Sequence, residues 1–217
     1  MRPRGRFVVL EGLDGAGTTT QAARLAAVLR RAGRRVVLTR EPSAGPVGAL
    51  LRQALDGSLR QKPKLSDAAL ALLFAADRLD HLASTVEPGL AAGGVVVSDR
   101  YVLSSFAYQG RVLEPAWVEA LNARARPPDL TLFLEVRPRV AAARRRLRGG
   151  RKERFDDART QAAVARAYET VMVRHGRRHH VHRLNGELAV EEVARKVQAA
   201  VATLLAGRAN RAKRPVR

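Results

Sequence analysis

Phe7-Val8-Val9-Leu10-Glu11-Gly12-Leu13-Asp14-Gly15-Ala16-Gly17-Thr18-Thr19-Thr20 is the stretch whose reading decides the fold. It opens with an unbroken apolar run, the pattern of a parallel strand covered on both faces. A glycine-rich turn follows, and from Gln21 to Arg31 leucine, valine and alanine recur at helical spacing, up to Gly33. Gly12 and Gly17 stand in the G-x-x-x-x-G spacing of a phosphate loop. Glycines let the backbone fold into a nest of N–H groups around phosphate oxygens, and the helix that follows adds the positive end of its dipole. Gly12, Leu13, Asp14, Gly15, Ala16, Gly17, Thr18 and Thr19 are therefore the candidate ATP-binding residues. Thr19 stands where a hydroxyl holds Mg²⁺. The plain alternative is a glycine turn into a helix start.

One part of the motif is missing. Thr18 occupies the position of the lysine that reaches the β- and γ-phosphates. Threonine can donate a hydrogen bond but brings no charge. Phosphoryl transfer depends on positioning and charge neutralisation, so losing one cation is expected to cost roughly 10²–10⁴ in rate. Either another cation substitutes, or the chain binds nucleotide and turns it over poorly.

Outward from the loop, strand-like runs alternate with helical patterns. Val36-Val37-Leu38, Val95-Val96-Val97, 130–136 and 181–184 read as further buried strands. The longest helical pattern, 65–90, is expected to break near Pro88. Such alternation implies a doubly wound α/β sheet with right-handed crossovers and ligands at the carboxyl ends of the strands. Residues 1–206 read as one domain, with an arginine-rich segment at about 144–156, and 207–217 as a basic tail.

Composition narrows the function classes. The 217 residues hold no cysteine, which removes disulfides, thiolate metal sites and cysteine nucleophiles. No apolar run approaches the ~18–20 residues of a membrane span, and the N-terminus does not read as a signal peptide, so a soluble cytoplasmic protein is expected. The formal net charge is +20, a balance that points to polyanions. Yet only five of the 40 cations are lysine, which reads as a compositional bias towards arginine, and aromatics are 4%. Specific nucleic-acid binding is not expected from so few stacking residues; phosphorylated small molecules remain a natural partner class. His175, His179, His180 and His182 read as surface residues with no carboxylate well placed beside them. Trp117 and Tyr168 read as core or interface.

Further signals follow the loop. Arg40 and Glu41 come after the second strand; a guanidinium there can grip a monophosphate bidentately, or simply pair with Glu41. Asp99 and Arg100 end the third strand; Asp99 can help hold Mg²⁺ or cap the next helix. Phe74 sits in a helical pattern, where core packing is its ordinary reading, and Arg78 is one turn on, on the same face.

Thr39-Arg40-Glu41-Pro42, Leu73-Phe74-Ala75-Ala76-Asp77-Arg78, Ser98-Asp99-Arg100-Tyr101, Ser104-Ser105 and Ala107-Tyr108-Gln109-Gly110, in this order after the loop, resemble the thymidylate kinase family. The resemblance runs from about residue 7 to about 205. It implies a phosphate-loop three-layer sandwich with a five-stranded parallel sheet, helices on both faces and a short lid. It implies phosphorylation of dTMP by ATP with Mg²⁺ at Thr19 and Asp99, and a homodimer packed through the helices that include the one around Phe74. It implies a dTMP site of Asp14, Arg40, Glu41, Pro42, Phe74, Arg78, Arg100, Ser104, Ser105, Tyr108 and Gln109. In that site Phe74 stacks on the base, Arg78 meets its edge, Ser105 helps recognise thymine, Tyr108 favours deoxyribose and Asp14 meets the sugar 3′-hydroxyl. Bacterial-type relatives carry the arginine that closes over ATP in the lid; Arg148, Arg151 and Arg154 are the candidates here, Arg151 and Arg154 the favoured ones, unless they are a solvated helix end. The catalytic set implied is Asp14, Arg40, Asp99, Arg100, Arg151 and Arg154. The alternative is a weak or inactive nucleotide-binding relative, motivated by Thr18.

Overall fold

The computed structural model describes residues 5–60, 62–149 and 154–212, with the side chains of 148 and 207–212 set aside. Five strands, β1 (Arg6–Gly12), β2 (Val36–Arg40), β3 (Val95–Asp99), β4 (Leu130–Glu135) and β5 (Val181–Asn185), form one parallel sheet in the order β2-β3-β1-β4-β5. Successive strand residues point to opposite faces. Phe7, Val8, Val9 and Leu10 are all buried, so helices cover both faces of the centre. The doubly wound class expected from the sequence is the class observed.

Helix α1 (Thr18–Arg31) packs on β1, β2 and β3 and against the long α9 (Val190–Ala212). The remaining helices are α2 (Pro46–Asp56), α3 (Asp67–His81), α4 (Glu87–Ala91), α5 (Val102–Tyr108), α6 (Pro115–Leu121), α7 (Pro138–Arg148) and α8 (Ala158–His175). Among these α5 pairs with α8. Phe7 meets Tyr101 edge-on at 5.0 Å, and Phe133 packs on Tyr168 at 5.0 Å.

Five expectations are corrected, the first being 181–184: β5 is one edge of the sheet, and only Leu184 of those four residues is buried. Val36, Val37 and Leu38 are not a buried run: β2 is an edge strand, and Leu38 is 38% exposed. Pro88 breaks nothing. The chain passes from α3 through a π-helical turn (Leu82–Val86) into α4, whose first turn holds Pro88, where its missing N–H is harmless. His179 is buried at 3% exposure, with burial pushing its ring down to about 4. His175 does have a carboxylate, Glu119 at 3.2 Å, although burial still lowers its pKa.

The register fixes where chemistry can sit. Arg40 lies opposite Asp99 on β3, and Leu10 of β1 lies opposite the same Asp99. The carboxyl ends of β1, β2 and β3 thus bring the loop, Arg40 and Asp99 to one edge.

Candidate active site

The phosphate loop closes β1 and opens α1. Gly17 stands at the helix start with φ 98° and no side-chain cap, so the first N–H groups of α1 are free to face an anion. Gly15, at φ 92°, lies so close to α7 that a Cβ there would sit inside 3.0 Å of the Ala141 carbonyl oxygen. Outside the loop, α7 grips it through its carbonyls. Arg145 donates to the Asp14 carbonyl, and Arg144 donates to those of Gly186 (2.8 Å) and Ala16 (3.4 Å).

A cavity of about 680 Å³ opens above this edge. Its wall brings together Asp14 to Thr19, Arg40, Glu41, Pro42, Asp99 and Arg100, all named from the sequence. Among the described residues its other cations are Arg52 and Arg144, which sequence reasoning missed. Thr18 is on the wall and 4% exposed.

Behind the wall lies a second layer of polar contacts. Glu11, fully buried, accepts from the N–H groups of Tyr101 (3.0 Å) and Ser104 (3.1 Å), Ser104 Oγ (2.6 Å) and Tyr168 OH (3.1 Å). Burial raises its carboxyl to about 6, against the opposing pull of Arg100 and these donors. Arg100 adopts φ 75°, an unusual conformation for a side-chain-bearing residue, with its N–H on Leu10 O. Its guanidinium reaches Asp14 Oδ1 at 2.5 Å. Burial opposes its charge, but Asp14 and the neighbouring phenols hold it well above its ordinary value. Tyr108 donates to Asp14 Oδ2 at 2.8 Å, and burial keeps both Tyr108 and Tyr168 protonated far above the ordinary phenol range. Tyr168 therefore belongs to the site's support, not only to the core.

Phe74, Arg78, Ser104, Ser105, Tyr108 and Gln109 are not on the cavity wall. Arg78 is 2% exposed, and its donors go to Glu41 (2.8 and 3.0 Å), Ser105 Oγ (3.0 Å) and Asn122 Oδ1. It lies over the Tyr101 ring at 5.3 Å. Phe74 is half-buried on α3 and Gln109 buried after α5. Arg154 faces α2 and α3: its N–H meets Leu55 O, and its guanidinium meets Leu65 O (2.8 Å) and Asp67 Oδ1 (2.9 Å). Arg151 lies outside the described residues.

The residues present fit a divalent cation. Thr19 Oγ1 donates to Asp99 Oδ2 at 2.5 Å, while Asp99 Oδ1 is buried without a hydrogen-bond partner among the described residues. These are hard oxygen donors of the kind Mg²⁺ takes. Among the described residues no cluster of three or more His, Asp or Glu could hold a metal alone. Such a site would be completed by water and substrate phosphate oxygens.

Comparison with known proteins agrees with this geometry. The family model described as thymidylate kinase matches residues 10–197. The thymidylate kinase of Bifidobacterium longum subsp. infantis is 38% identical over 212 residues, 93% of this chain and 88% of the relative. That of Ruegeria pomeroyi is 43% identical over 162 residues, 72% of this chain and 75% of the relative. A probable thymidylate kinase of Pyrococcus horikoshii is 44% identical over 148 residues, 67% and 72% of the two chains. With a match over most of its length and a phosphate loop, strand-end arginines and Asp99 sharing one cavity, the chain belongs to the thymidylate kinase family.

Proposed function

We propose that this chain transfers the γ-phosphoryl group of ATP to the phosphate of dTMP, giving ADP and dTDP on the way to dTTP. One observation carries the reading: the phosphate loop and the Arg40, Asp99 and Arg100 group line a single cavity. That is the arrangement an in-line displacement between two phosphates needs. The loop and the start of α1 bind the donor phosphates. Arg40 and Arg100 grip the acceptor phosphate, whose oxygen is already ionised near neutral pH, so no strong general base is required. Glu41, Pro42, Phe74, Arg78, Ser104, Ser105, Tyr108 and Gln109 shape the acceptor site, directly or through the network beneath the wall. Arg144 serves the donor side with the lid residue Arg151, and Arg154 can join them only by leaving Leu65 and Asp67. Thr19 and Asp99 would hold Mg²⁺, which when bound neutralises charge on the phosphate oxygens.

A homodimer is part of the proposal. Leu72, Ala76, Leu79 and Ala83 are exposed at spacings of four, three and four along α3 and its π-helical turn, an apolar seam on the helix that carries Phe74. No helix among the described residues is long and apolar enough to cross a membrane, and we place the reaction in the cytoplasm.

The test is ADP formation from ATP and Mg²⁺ with and without dTMP, for the wild type and Thr18→Lys. Strong dTMP-dependent turnover by the wild type is the expected result. Turnover by Thr18→Lys alone would replace the reading with a nucleotide-binding protein, and turnover by neither would remove it.

A further inference from the structure

Gln161 is buried on α8, 1% exposed, and the catalytic scheme above does not use it. Its amide nitrogen donates to Asp14 Oδ2 at 3.0 Å and to the Phe155 carbonyl at 2.9 Å, with Tyr108 OH at 3.4 Å. The orientation of this amide is fixed. A flip would aim Oε1 at a carboxylate and a carbonyl, two acceptors. Oε1 itself is buried with no partner among the described residues, so the side chain is held by what its nitrogen does.

Its target is the informative part. Asp14 lies on the cavity wall with its side chain 35% exposed, whereas Gln161 and Tyr108 lie behind it. An ionised carboxylate offers about four acceptor sites. Tyr108 and Gln161 take two on Oδ2, and Arg100 takes one on Oδ1. Among the described residues one acceptor site is left, on Oδ1, for a donor in the cavity. A carboxylate clamped in this way can accept from one ligand hydroxyl and has little freedom to turn towards anything else.

We infer that Gln161 is a positioning residue that acts through Asp14 and makes the site select an acceptor carrying a sugar hydroxyl. The inference rests on the proposed function, in which Asp14 meets the 3′-hydroxyl of dTMP. Losing a hydrogen bond to a charged partner lowers affinity by about 10- to 100-fold. The wild type therefore prefers dTMP to 3′-deoxythymidine 5′-monophosphate by about that factor. Without Gln161, Asp14 keeps only Tyr108 on Oδ2 and Arg100 on Oδ1; its orientation is held less tightly and the preference narrows.

The experiment measures binding of both nucleotides by calorimetry to the wild type, Gln161→Met and Gln161→Leu, each checked by thermal melting. Met and Leu fill much of the same volume without a donor. The expected result is that either variant narrows the preference to about threefold or less, with affinity for the 3′-deoxy compound nearly unchanged. An unchanged preference, or an equal loss for both nucleotides, overturns the inference, since a merely structural role weakens both alike. Failure of both variants to fold also overturns it. A wild type that binds no dTMP overturns the proposed function itself, whereas one that binds dTMP while the variants keep its selectivity leaves that function standing.

Discussion

Gly15→Ala and Gly17→Ala are the same chemical change at two points of one loop, and the structure separates their consequences. Both glycines sit at positive φ, 92° and 98°, where a side chain costs about 1–2 kcal/mol. Alanine also stiffens the unfolded chain, which returns about 0.4–1 kcal/mol. Around Gly17 no described residue lies within 4 Å of the added Cβ, so Gly17→Ala should destabilise by at most about 1.5 kcal/mol. At Gly15 the Cβ enters the space of the Ala141 carbonyl and comes to 3.1 Å from Arg145 Cγ, against the 3.4 Å at which ordinary contact begins. The obstruction is mostly helix backbone, so α7 must move. Overpacking of this kind adds about 1–3 kcal/mol. Urea titrations with equal slopes should therefore place Gly15→Ala about 1–3 kcal/mol below Gly17→Ala. Because Arg145 moves with α7, its bond to the Asp14 carbonyl is lost as well, and dTMP affinity should fall more in Gly15→Ala than in Gly17→Ala. Equal stability of the two variants would refute the argument that α7 bears directly on the loop.

Glu11 gives a pH prediction. Its folded pKa, about 6, lies above its ordinary 4.5, so its contribution is fully present below pH 4.5 and is lost as pH rises through 6. That is worth about 2 kcal/mol, and the stability difference between wild type and Glu11→Gln should change by this amount over that window; a flat difference in urea titrations would exclude burial as the cause. Asp99→Asn should lower kcat by about 10²-fold or more and raise the Mg²⁺ concentration needed for half-maximal ADP formation, while ATP binding changes far less; an unaltered Mg²⁺ dependence would remove Asp99 from the metal site. Leu79→Arg puts a charge in the exposed seam of α3, where Leu79 is 43% exposed. It should convert a dimer of 23.6 kDa chains into monomers in sedimentation experiments, and a monomeric wild type would end the dimer proposal.

The sequence by itself determined the local part of this protein. An apolar run, glycines at fixed spacing and a helical period describe a strand, a turn and a helix that follow one another along the chain. Arg40 and Asp99 were legible for a related reason: each ends a strand, and the ends of parallel strands fall on one edge. Val36 to Leu38 misled because apolar character reports a strand without saying whether a neighbour covers it. Pro88 misled because a proline that stops one helix can equally start the next. What the tertiary structure alone decided is convergence. Gln161 and Asp14 are 147 residues apart, and Arg145 and the Asp14 carbonyl 131. The same holds for Arg52, turned from α2 towards the cavity, and for Tyr168, which reaches Glu11 on β1 from α8. Periodicity carries the geometry of a few neighbouring residues. Which buried donor meets which carboxylate depends on how crossovers stack the helices, and that is fixed only when the core has packed.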